Sequence, residues 1–281
     1  MKPTSLFLAL LMLMNISCKE AEENLHPWED HGWKLAVQAW TFNRFTFEEA
    51  LETASNLGLK YIEAYPGQKI TEESDATTHF SMNAETKNLM RELTNKHDIK
   101  IINYGIVAAG SEEEWEQLFA FAADMGIKTI GSEPDPIWMD LIESLVKKYD
   151  VQLAIHNHPP PTRYWNPQTV LDVIEGRDSR IGVSADNGHW MRSGLNPIDV
   201  YKMLEGRIKY LHLKDMTAFD DMEAYTVPFG TGVFNMREAL QVLKETGFKG
   251  VITIEHEWDW ENPAPKVAKS IEHLREISRD L

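Results

Sequence analysis

Cysteine and basic residues are scarce in this sequence. Cys18 is the single cysteine in 281 residues, so no intrachain disulfide can form and a hydrophobic core has to stabilise the fold. Lysine and arginine number 28 against 44 acidic residues. The resulting net charge of −16 argues against nucleic acid as a partner, because nucleic-acid binding depends on basic side chains that neutralise phosphate. An apolar fraction of 43% is sufficient for a core.

The apolar run near the N-terminus, Leu6–Met14, is too short to cross a bilayer as a helix and has the length of a signal-peptide core. A small residue and then Cys18 follow, which resembles the end of a bacterial lipoprotein signal. We expect residues 1–18 to be a lipoprotein signal peptide with Cys18 lipidated, residues 19–32 to be a flexible tether, and residues 33–281 to be the folded domain. The alternative is an N-terminal helix with an incidental cysteine. The expected location is extracytoplasmic, with the anchor in a bacterial membrane, in the periplasm or at the outer-membrane surface.

Short apolar runs alternate with longer amphipathic segments along the rest of the chain. The short runs predict eight strands: Leu35–Ala39, Lys60–Ala64, Lys100–Tyr104, Lys128–Gly131, Gln152–His156, Ile181–Ala185, Lys209–Leu213 and Val251–Glu255. The longer segments predict eight helices: Phe47–Leu57, Ala84–His97, Glu113–Met125, Ile137–Tyr149, Pro167–Glu175, Pro197–Leu204, Met236–Thr246 and Pro265–Arg279.

Eight strand–helix units in about 250 residues predict a single-domain α/β protein with the (β/α)₈ TIM-barrel fold. The strands are continuous apolar runs, which are typical of a parallel sheet covered on both faces. A doubly wound sheet is the alternative. Such a sheet would normally carry a phosphate-binding loop near its start, and the sequence contains no G-x-G-x-x-G or Walker motif.

Polar residues gather where the predicted strands end, which is the functional end of such a barrel. They include Glu63, Asn103, Glu133, His156, Asp186, His212 and Glu255. Carboxylates that converge on one barrel mouth repel each other, and a bound divalent cation would resolve that repulsion. Carboxylates with one imidazole favour Mn²⁺, Mg²⁺ or Co²⁺, and Zn²⁺ stays open as a further choice.

These strand ends resemble those of the sugar isomerase/epimerase branch of the xylose-isomerase-like TIM barrels, which also include endonuclease-IV-type proteins. The matching segments are Ser132-Glu133, Val183–His189, Tyr210–Asp215, Gly230–Gly232 and Thr253–Glu255. The resemblance implies one divalent metal ion held by four residues: Glu133, Asp186, His212 and Glu255. It also implies that Glu133 and Glu255 act as the catalytic acid and base.

The resemblance implies a metal-dependent sugar isomerase or epimerase that removes a proton next to a carbonyl and passes through an enediolate. The same residues would also serve a lyase or hydratase acting on 3-keto sugars or glycosides. A third reading is a non-catalytic sugar-binding lipoprotein.

The residues expected to contact substrate lie at or just after strand ends, and several are aromatic, which suits neutral carbohydrate. They are His156, His189, Lys214, Trp40, Tyr104 and Trp190. The expected partners are a small sugar or keto-sugar and, through the lipid anchor alone, a membrane. Nucleic acid is not expected, and a homodimer is left open.

Overall fold

The computed structural model describes residues 24–281, which form a closed barrel of eight parallel strands. The strands follow one another round the barrel in chain order, and the eighth pairs with the first to close it. They are β1 Lys34–Gln38, β2 Tyr61–Ala64, β3 Lys100–Tyr104, β4 Thr129–Ser132, β5 Gln152–His156, β6 Ile181–Asp186, β7 Ile208–Leu213 and β8 Val251–Ile254. The predicted (β/α)₈ barrel is confirmed.

Helices cover the outside of the barrel between successive strands. They are α1 Phe47–Asn56, α2 Ala84–Lys96, α3 Glu112–Met125, α4 Met139–Tyr149, α5 Pro167–Ile174, α6 Asn187–Arg192, α7 Pro197–Met203, α8 Met236–Glu245 and α9 Ala264–Arg279. Within residues 24–281, no helix has the length and apolarity that a membrane crossing requires.

Capping residues explain where these helices begin and end. Thr46 and Glu49 form a reciprocal capping box at the start of α1, in which each side chain accepts a hydrogen bond from the other's backbone N–H. Helix α3 begins after Ser111, whose hydroxyl accepts from a backbone N–H in the first turn. It ends at Gly126, where a φ of 73° favours glycine. The caps therefore fix the loops that join helices to strands.

Apolar side chains fill the lower interior of the barrel. Ala36, Ile102, Ala154 and Tyr210 belong to one buried cluster and come from the odd-numbered strands, as in a TIM-barrel layer. A larger core lies between the strands and the surrounding helices. The barrel is thus packed below, and the polar residues are confined to the carboxyl ends of the strands.

The structure adds two features to the predicted plan. Helix α6 starts directly after β6, so Asp186 caps it and accepts a hydrogen bond from the N–H of His189 at 2.9 Å. The long loop after β7 contains a small antiparallel hairpin, in which Asp215–Met216 pairs with Thr226–Val227. We call residues 215–234 the β7 loop.

The folded domain also begins earlier than residue 33. Residues 27–31 form a 3₁₀ turn in which Trp28 is buried, and a nitrogen of His31 lies 2.8 Å from the carbonyl oxygen of Ser278 in α9. The predicted tether, residues 19–32, therefore includes part of the domain, because these side chains cover the end of the last helix. Cys18 and the expected signal peptide lie outside the described residues.

Candidate active site

The carboxyl ends of the strands surround a cavity of about 310 Å³, which we call the mouth cavity. Its walls combine aromatic rings, four histidines and two glutamates. The lining residues are Gln38, Trp40, Tyr65, Pro66, Gly105, Ile106, His156, His158, His189, His212, Glu255 and Glu257. A small concave pocket with convergent polar groups is the usual form of a small-molecule site.

His212 lies at the centre of the polar cluster in this mouth. Its Nε2 lies 2.9 Å from Oε1 of Glu63, a buried carboxylate that holds the ring from behind. Its Nδ1 is buried without a hydrogen-bond partner among residues 24–281. That nitrogen lies 3.0 Å from Oε2 of Glu255 and 3.7 Å from Oδ2 of Asp186. A carboxylate behind an imidazole whose other nitrogen meets further carboxylates is the usual setting of a metal-binding histidine.

Lys214 is fully buried beside the same carboxylates. Its Nζ lies 2.8 Å from Oδ2 of Asp186, 3.0 Å from Oε2 of Glu255 and 2.6 Å from Oε2 of Glu257. Burial lowers the pKa of Lys214, but the three carboxylates outweigh it and raise the pKa well above its usual range. The ammonium group therefore stays charged and neutralises part of the negative charge concentrated at the barrel mouth.

His156 brings a second imidazole to His212 and Asp186. These three residues each place one ligand atom within 4.8 Å of the other two. The Nδ1 of His156 lies 3.1 Å from the hydroxyl of Ser184, which leaves Nε2 free to bind a ligand. Burial, together with the nearby His158 and His212, lowers the pKa of His156 well below its usual range. The ring is therefore neutral, as a metal ligand must be.

Glu133, at the end of β4, pairs with His158, the second residue after β5. Its Oε1 is in close contact with Nδ1 of His158. Burial lowers the pKa of His158, but Glu133 raises it above the usual histidine value through this contact. His158 lines the mouth cavity and Glu133 lies behind it. The pair therefore presents an imidazole N–H to the cavity.

The structure brings together three of the four predicted metal ligands, namely Asp186, His212 and Glu255. The predicted fourth, Glu133, contacts Nδ1 of His158, and His158 belongs to a second group of possible ligands, formed with His156 and His189. His156 lies in one group with Asp186 and His212, and the register pairs it with Ser184 on β6, two residues before Asp186.

Three of the predicted substrate contacts line the mouth cavity: His156, His189 and Trp40. Trp40 is 43% exposed and offers a ring edge to Tyr65 at a centroid distance of 5.0 Å. Lys214 lies directly behind Glu255 and Glu257, which line the cavity.

The other two predicted contacts, Tyr104 and Trp190, lie in the core. The hydroxyl of Tyr104 donates to the carbonyl of Thr78 at 2.7 Å. Trp190 is fully buried next to Tyr201, with ring centroids 6.2 Å apart. Neither ring lines the mouth cavity, because both pack in the layer between the barrel and its helices.

Four residues of the mouth were not among the predicted site residues: Glu63, Gln38, His158 and Glu257. The sequence could have indicated His158 and Glu257, because side chains two residues apart along an extended chain point to the same face. His158 follows His156 and Glu257 follows Glu255 at this spacing.

The β7 loop is tied down by the carboxylate of Asp215. Its two oxygens accept hydrogen bonds from four backbone N–H groups at 2.9 to 3.1 Å, those of Met216, Gly230, Gly232 and Phe234. A Cβ atom on Gly232 would lie 2.2 Å from Oδ1 of Asp215, so only glycine fits there. This explains the Gly230–Gly232 segment seen in the sequence.

Opposite protonation states are favoured at two of the groups that line the cavity. Burial raises the pKa of Glu255, but Lys214 and His212 outweigh it and lower the pKa to about 2. Glu255 is therefore ionised, whereas His158 holds its proton more firmly than an ordinary histidine. Groups whose environments separate their pKa values in this way are suited to act as base and acid.

The donor set fits a divalent metal ion. The unpartnered Nδ1 of His212 faces Asp186 and Glu255, and His156 adds a neutral imidazole. Two imidazoles with carboxylates suit Zn²⁺, Co²⁺ or Mn²⁺ better than Mg²⁺, which prefers oxygen ligands alone. The second imidazole thus moves the expectation toward zinc relative to the sequence alone.

Comparison with known proteins places the chain among similar barrels. Residues 51–277 match the family described as the xylose isomerase-like TIM barrel. A solved structure of an uncharacterised protein from Parabacteroides distasonis is 34% identical, with 87% of this chain and 99% of that chain covered and a TM-score of 0.72. The IOLI protein, solved with a binding zinc atom, superposes with a TM-score of 0.67 over 88% of this chain and 98% of its own, at 16% identity.

Curated relatives match shorter stretches. An inosose dehydratase from Clostridium beijerinckii is 30% identical over 117 residues, which are 35% of this chain and 39% of the relative. The chain spans less than half the length of the first curated relatives that it matches.

Proposed function

We propose that this chain, which belongs to the xylose isomerase-like TIM barrel family, is a lyase acting on keto-sugars. In this reaction a proton is removed from the carbon beside a ketone, and the oxygen substituent on the next carbon is expelled. The observation that carries the proposal is the pairing of unlike groups in one cavity. A carboxylate, Glu255, and an imidazole backed by a carboxylate, His158 with Glu133, come from strands β8 and β5.

Glu255 takes the proton from carbon, and the electron pair of the broken C–H bond becomes a carbon–carbon double bond. The C–O bond at the next carbon breaks at the same time or afterwards, and its electron pair stays on the departing oxygen. His158 gives its proton to that oxygen, so the products are an unsaturated ketone and water or an alcohol. Glu133 holds the ring of His158 and stabilises its charged form.

A carboxylate with a pKa of about 2 is a weak base, so the carbonyl has to be activated before Glu255 can remove the proton. We propose that His156, Asp186, His212 and Glu255 hold one divalent metal ion. When bound, this ion would polarise the substrate carbonyl and offset the negative charge that develops on its oxygen. Lys214 adds a fixed positive charge behind the same carboxylates.

Curated relatives carry names of both reaction types: inosose dehydratases support the lyase, and an inosose isomerase from Halalkalibacterium halodurans supports the second candidate. The name of the relative from Clostridium beijerinckii, inosose dehydratase, describes a loss of water, which is an elimination of the kind proposed here. The second candidate is a sugar isomerase or epimerase, in which His158 returns its proton to carbon instead of oxygen. The observation that favours it is that a carboxylate and a protonated imidazole line one cavity, since a base and an acid are the two groups that this reaction needs.

The test uses 4-nitrophenyl and methyl 3-keto-glucosides in D₂O with Mn²⁺ or Zn²⁺. Loss of nitrophenol with formation of an unsaturated ketone supports the lyase. Deuterium at the carbon beside the ketone, with the substituent retained, supports the epimerase or isomerase instead. Binding without exchange or elimination would leave a non-catalytic sugar-binding protein and overturn both enzymes. Glu255→Gln should abolish the reaction, whereas the exposed Glu205→Gln should not change it.

The role of His158 has its own signature. Nitrophenolate is a good leaving group without protonation, whereas methoxide has to be protonated as it leaves. His158→Gln should therefore slow loss of methanol by about 10²–10⁴-fold and leave loss of nitrophenol far less affected. Equal effects on both substrates would show that His158 is not the acid.

We further propose that the reaction takes place outside the cytoplasm, on a membrane to which the chain is attached through Cys18. The support is the sequence of residues 1–18 alone, in which a short apolar run precedes a small residue and the cysteine.

A further inference from the structure

A second cavity, of about 550 Å³, lies beside the mouth cavity, and we call it the side cavity. Its walls come from the chain that follows β8 and from the β7 loop, and they include Thr226, His256, Trp258 and Trp260. None of the site residues described above lines it.

The two cavities are adjacent. Trp260 of the side cavity meets Trp40 of the mouth cavity edge to face, with ring centroids 6.3 Å apart. Successive residues also alternate between the cavities: Glu255 and Glu257 line the mouth cavity, whereas His256 and Trp258 line the side cavity. The segment 255–258 therefore forms the wall between the two cavities. A molecule that reaches from the mouth cavity to the side cavity would pass over the contact between Trp40 and Trp260.

The wall of the side cavity carries exposed aromatic surface. Trp258 lines the cavity, and Tyr225 lies behind it and stacks on its ring, with centroids 4.3 Å apart and an interplanar angle of 23°. They are nevertheless 52% and 37% exposed. Exposed aromatic surface beside a cavity marks a binding site more often than an isolated exposed side chain does, and flat amphipathic rings suit a ligand with both C–H faces and hydroxyl groups.

A buried polar atom also lies at this cavity. His256 is 4% exposed, and its Nε2 has no hydrogen-bond partner among the described residues. The backbone N–H of His256 donates to the hydroxyl of Thr41 at 3.0 Å, so the residue is held in place. An unpaired buried nitrogen is costly, and a ligand hydroxyl would satisfy it.

The charges at the side cavity argue for a neutral ligand. Lys266 is paired with Asp259, and Glu261 adds a further negative charge. The lining therefore offers no unpaired cation to a phosphate or carboxylate. Aromatic rings, one polar nitrogen and a slightly acidic rim together match an uncharged, hydroxylated ring.

We propose that the side cavity is a subsite for a second, neutral sugar residue, linked to the sugar ring that reacts in the mouth cavity. The inference rests on the proposed function in that it takes the mouth cavity to hold a sugar. It narrows the substrate class to glycosides of at least two neutral sugars, with Trp258, backed by Tyr225, stacking on the second ring and His256 bonding one of its hydroxyl groups.

The test is binding by NMR and calorimetry of cellobiose, maltose and lactose, each compared with glucose and galactose. Wild-type protein should bind at least one disaccharide about tenfold more tightly than the monosaccharides, as expected for one aromatic stacking contact. Trp258→Ala should remove this preference and leave monosaccharide affinity unchanged. The control is Phe219→Ala, an exposed aromatic of the β7 loop that lines neither cavity, and it should keep the preference.

Equal affinity for disaccharides and monosaccharides, or a preference that survives Trp258→Ala, would overturn the inference. So would a dimer that Trp258→Ala converts to monomer, because the aromatic pair would then be a subunit contact. Repeating the titrations with Glu255→Gln separates the two proposals, since binding needs no turnover. A disaccharide preference in a protein that neither exchanges deuterium nor releases nitrophenol would exclude the proposed lyase and leave the subsite standing.

Discussion

Replacing Lys214 with methionine tests the electrostatic account of the barrel mouth. The side chain is fully buried, and its ammonium group lies 2.6 to 3.0 Å from three carboxylates. Methionine has a similar volume, so the change removes the charge without opening a large cavity. Removing one partner of a buried ion pair costs about 3–5 kcal/mol, because the remaining charge is left uncompensated. For a domain of this size, that corresponds to a Tm roughly 6–20 °C lower.

A divalent metal should reverse much of that loss. The metal and the ammonium group share Asp186 and Glu255, so the metal replaces the missing positive charge in Lys214→Met. The variant should therefore bind the metal more tightly than wild type, and a tenfold lower Kd adds about 1.4 kcal/mol of stability at saturating metal. We expect the gap between the two Tm values to be wide in chelator and to narrow as Zn²⁺ or Mn²⁺ is added.

Differential scanning calorimetry in chelator and in a metal series measures both effects, and isothermal titration gives the two Kd values. Lys202→Met, which removes an exposed lysine from α7, should shift Tm little under either condition. The reasoning is refuted if Lys214→Met melts with wild type in chelator. It is also refuted if added metal widens the gap, since that would mean that Lys214 helps the metal to bind instead of sharing its ligands.

Three further outcomes are expected. Gly232→Ala should destabilise the fold by about 1–3 kcal/mol in urea unfolding, because its Cβ would lie 2.2 Å from Oδ1 of Asp215. A Cβ on Gly110 would make only an ordinary contact, 3.6 Å from Oε2 of Glu114, so Gly110→Ala should be neutral, and similar values for both would contradict this. Burial lowers the pKa of His256 to about 4, whereas in the unfolded chain it is about 6.5. As the pH falls from 6.5 toward 4, the unfolded chain therefore gains a proton that the folded chain does not, and the fold loses stability. Wild type should therefore lose about 2 kcal/mol more than His256→Asn between pH 7 and pH 5, and parallel curves would count against it. Cys18→Ser should abolish incorporation of labelled palmitate in bacterial cells, and labelling that persists would exclude Cys18 as the lipidated residue.

The fold followed from the sequence because the signals that build a barrel are local. Apolar runs, amphipathic segments and glycine caps each act within a few residues, and eight repetitions leave few arrangements of the strands. The differences lie where a local signal is weak. Helix α6 was missed because it has only six residues and directly follows Asp186, the last residue of β6, with no loop between them.

The site was predictable in part, for a geometrical reason. Asp186, His212 and Glu255 lie at strand ends, and strand order alone brings them to one mouth. The register between neighbouring strands decides which side chains lie at the same height in the barrel. No local sequence pattern encodes this register. It pairs His156 with Ser184 and Asp186 with His212. The reach of Lys214 to three carboxylates is likewise a tertiary property.

The tie between Asp215 and the β7 loop has a consequence for how such an enzyme can be altered. One carboxylate fixes both ends of the loop, at Met216 and at residues 230–234, next to the buried lysine. The intervening segment, which includes Tyr225 and Thr226, can therefore be exchanged as a cassette while its anchoring points stay unchanged. Libraries that vary residues 217–227 should change which glycosides are accepted while the groups that move protons keep their positions.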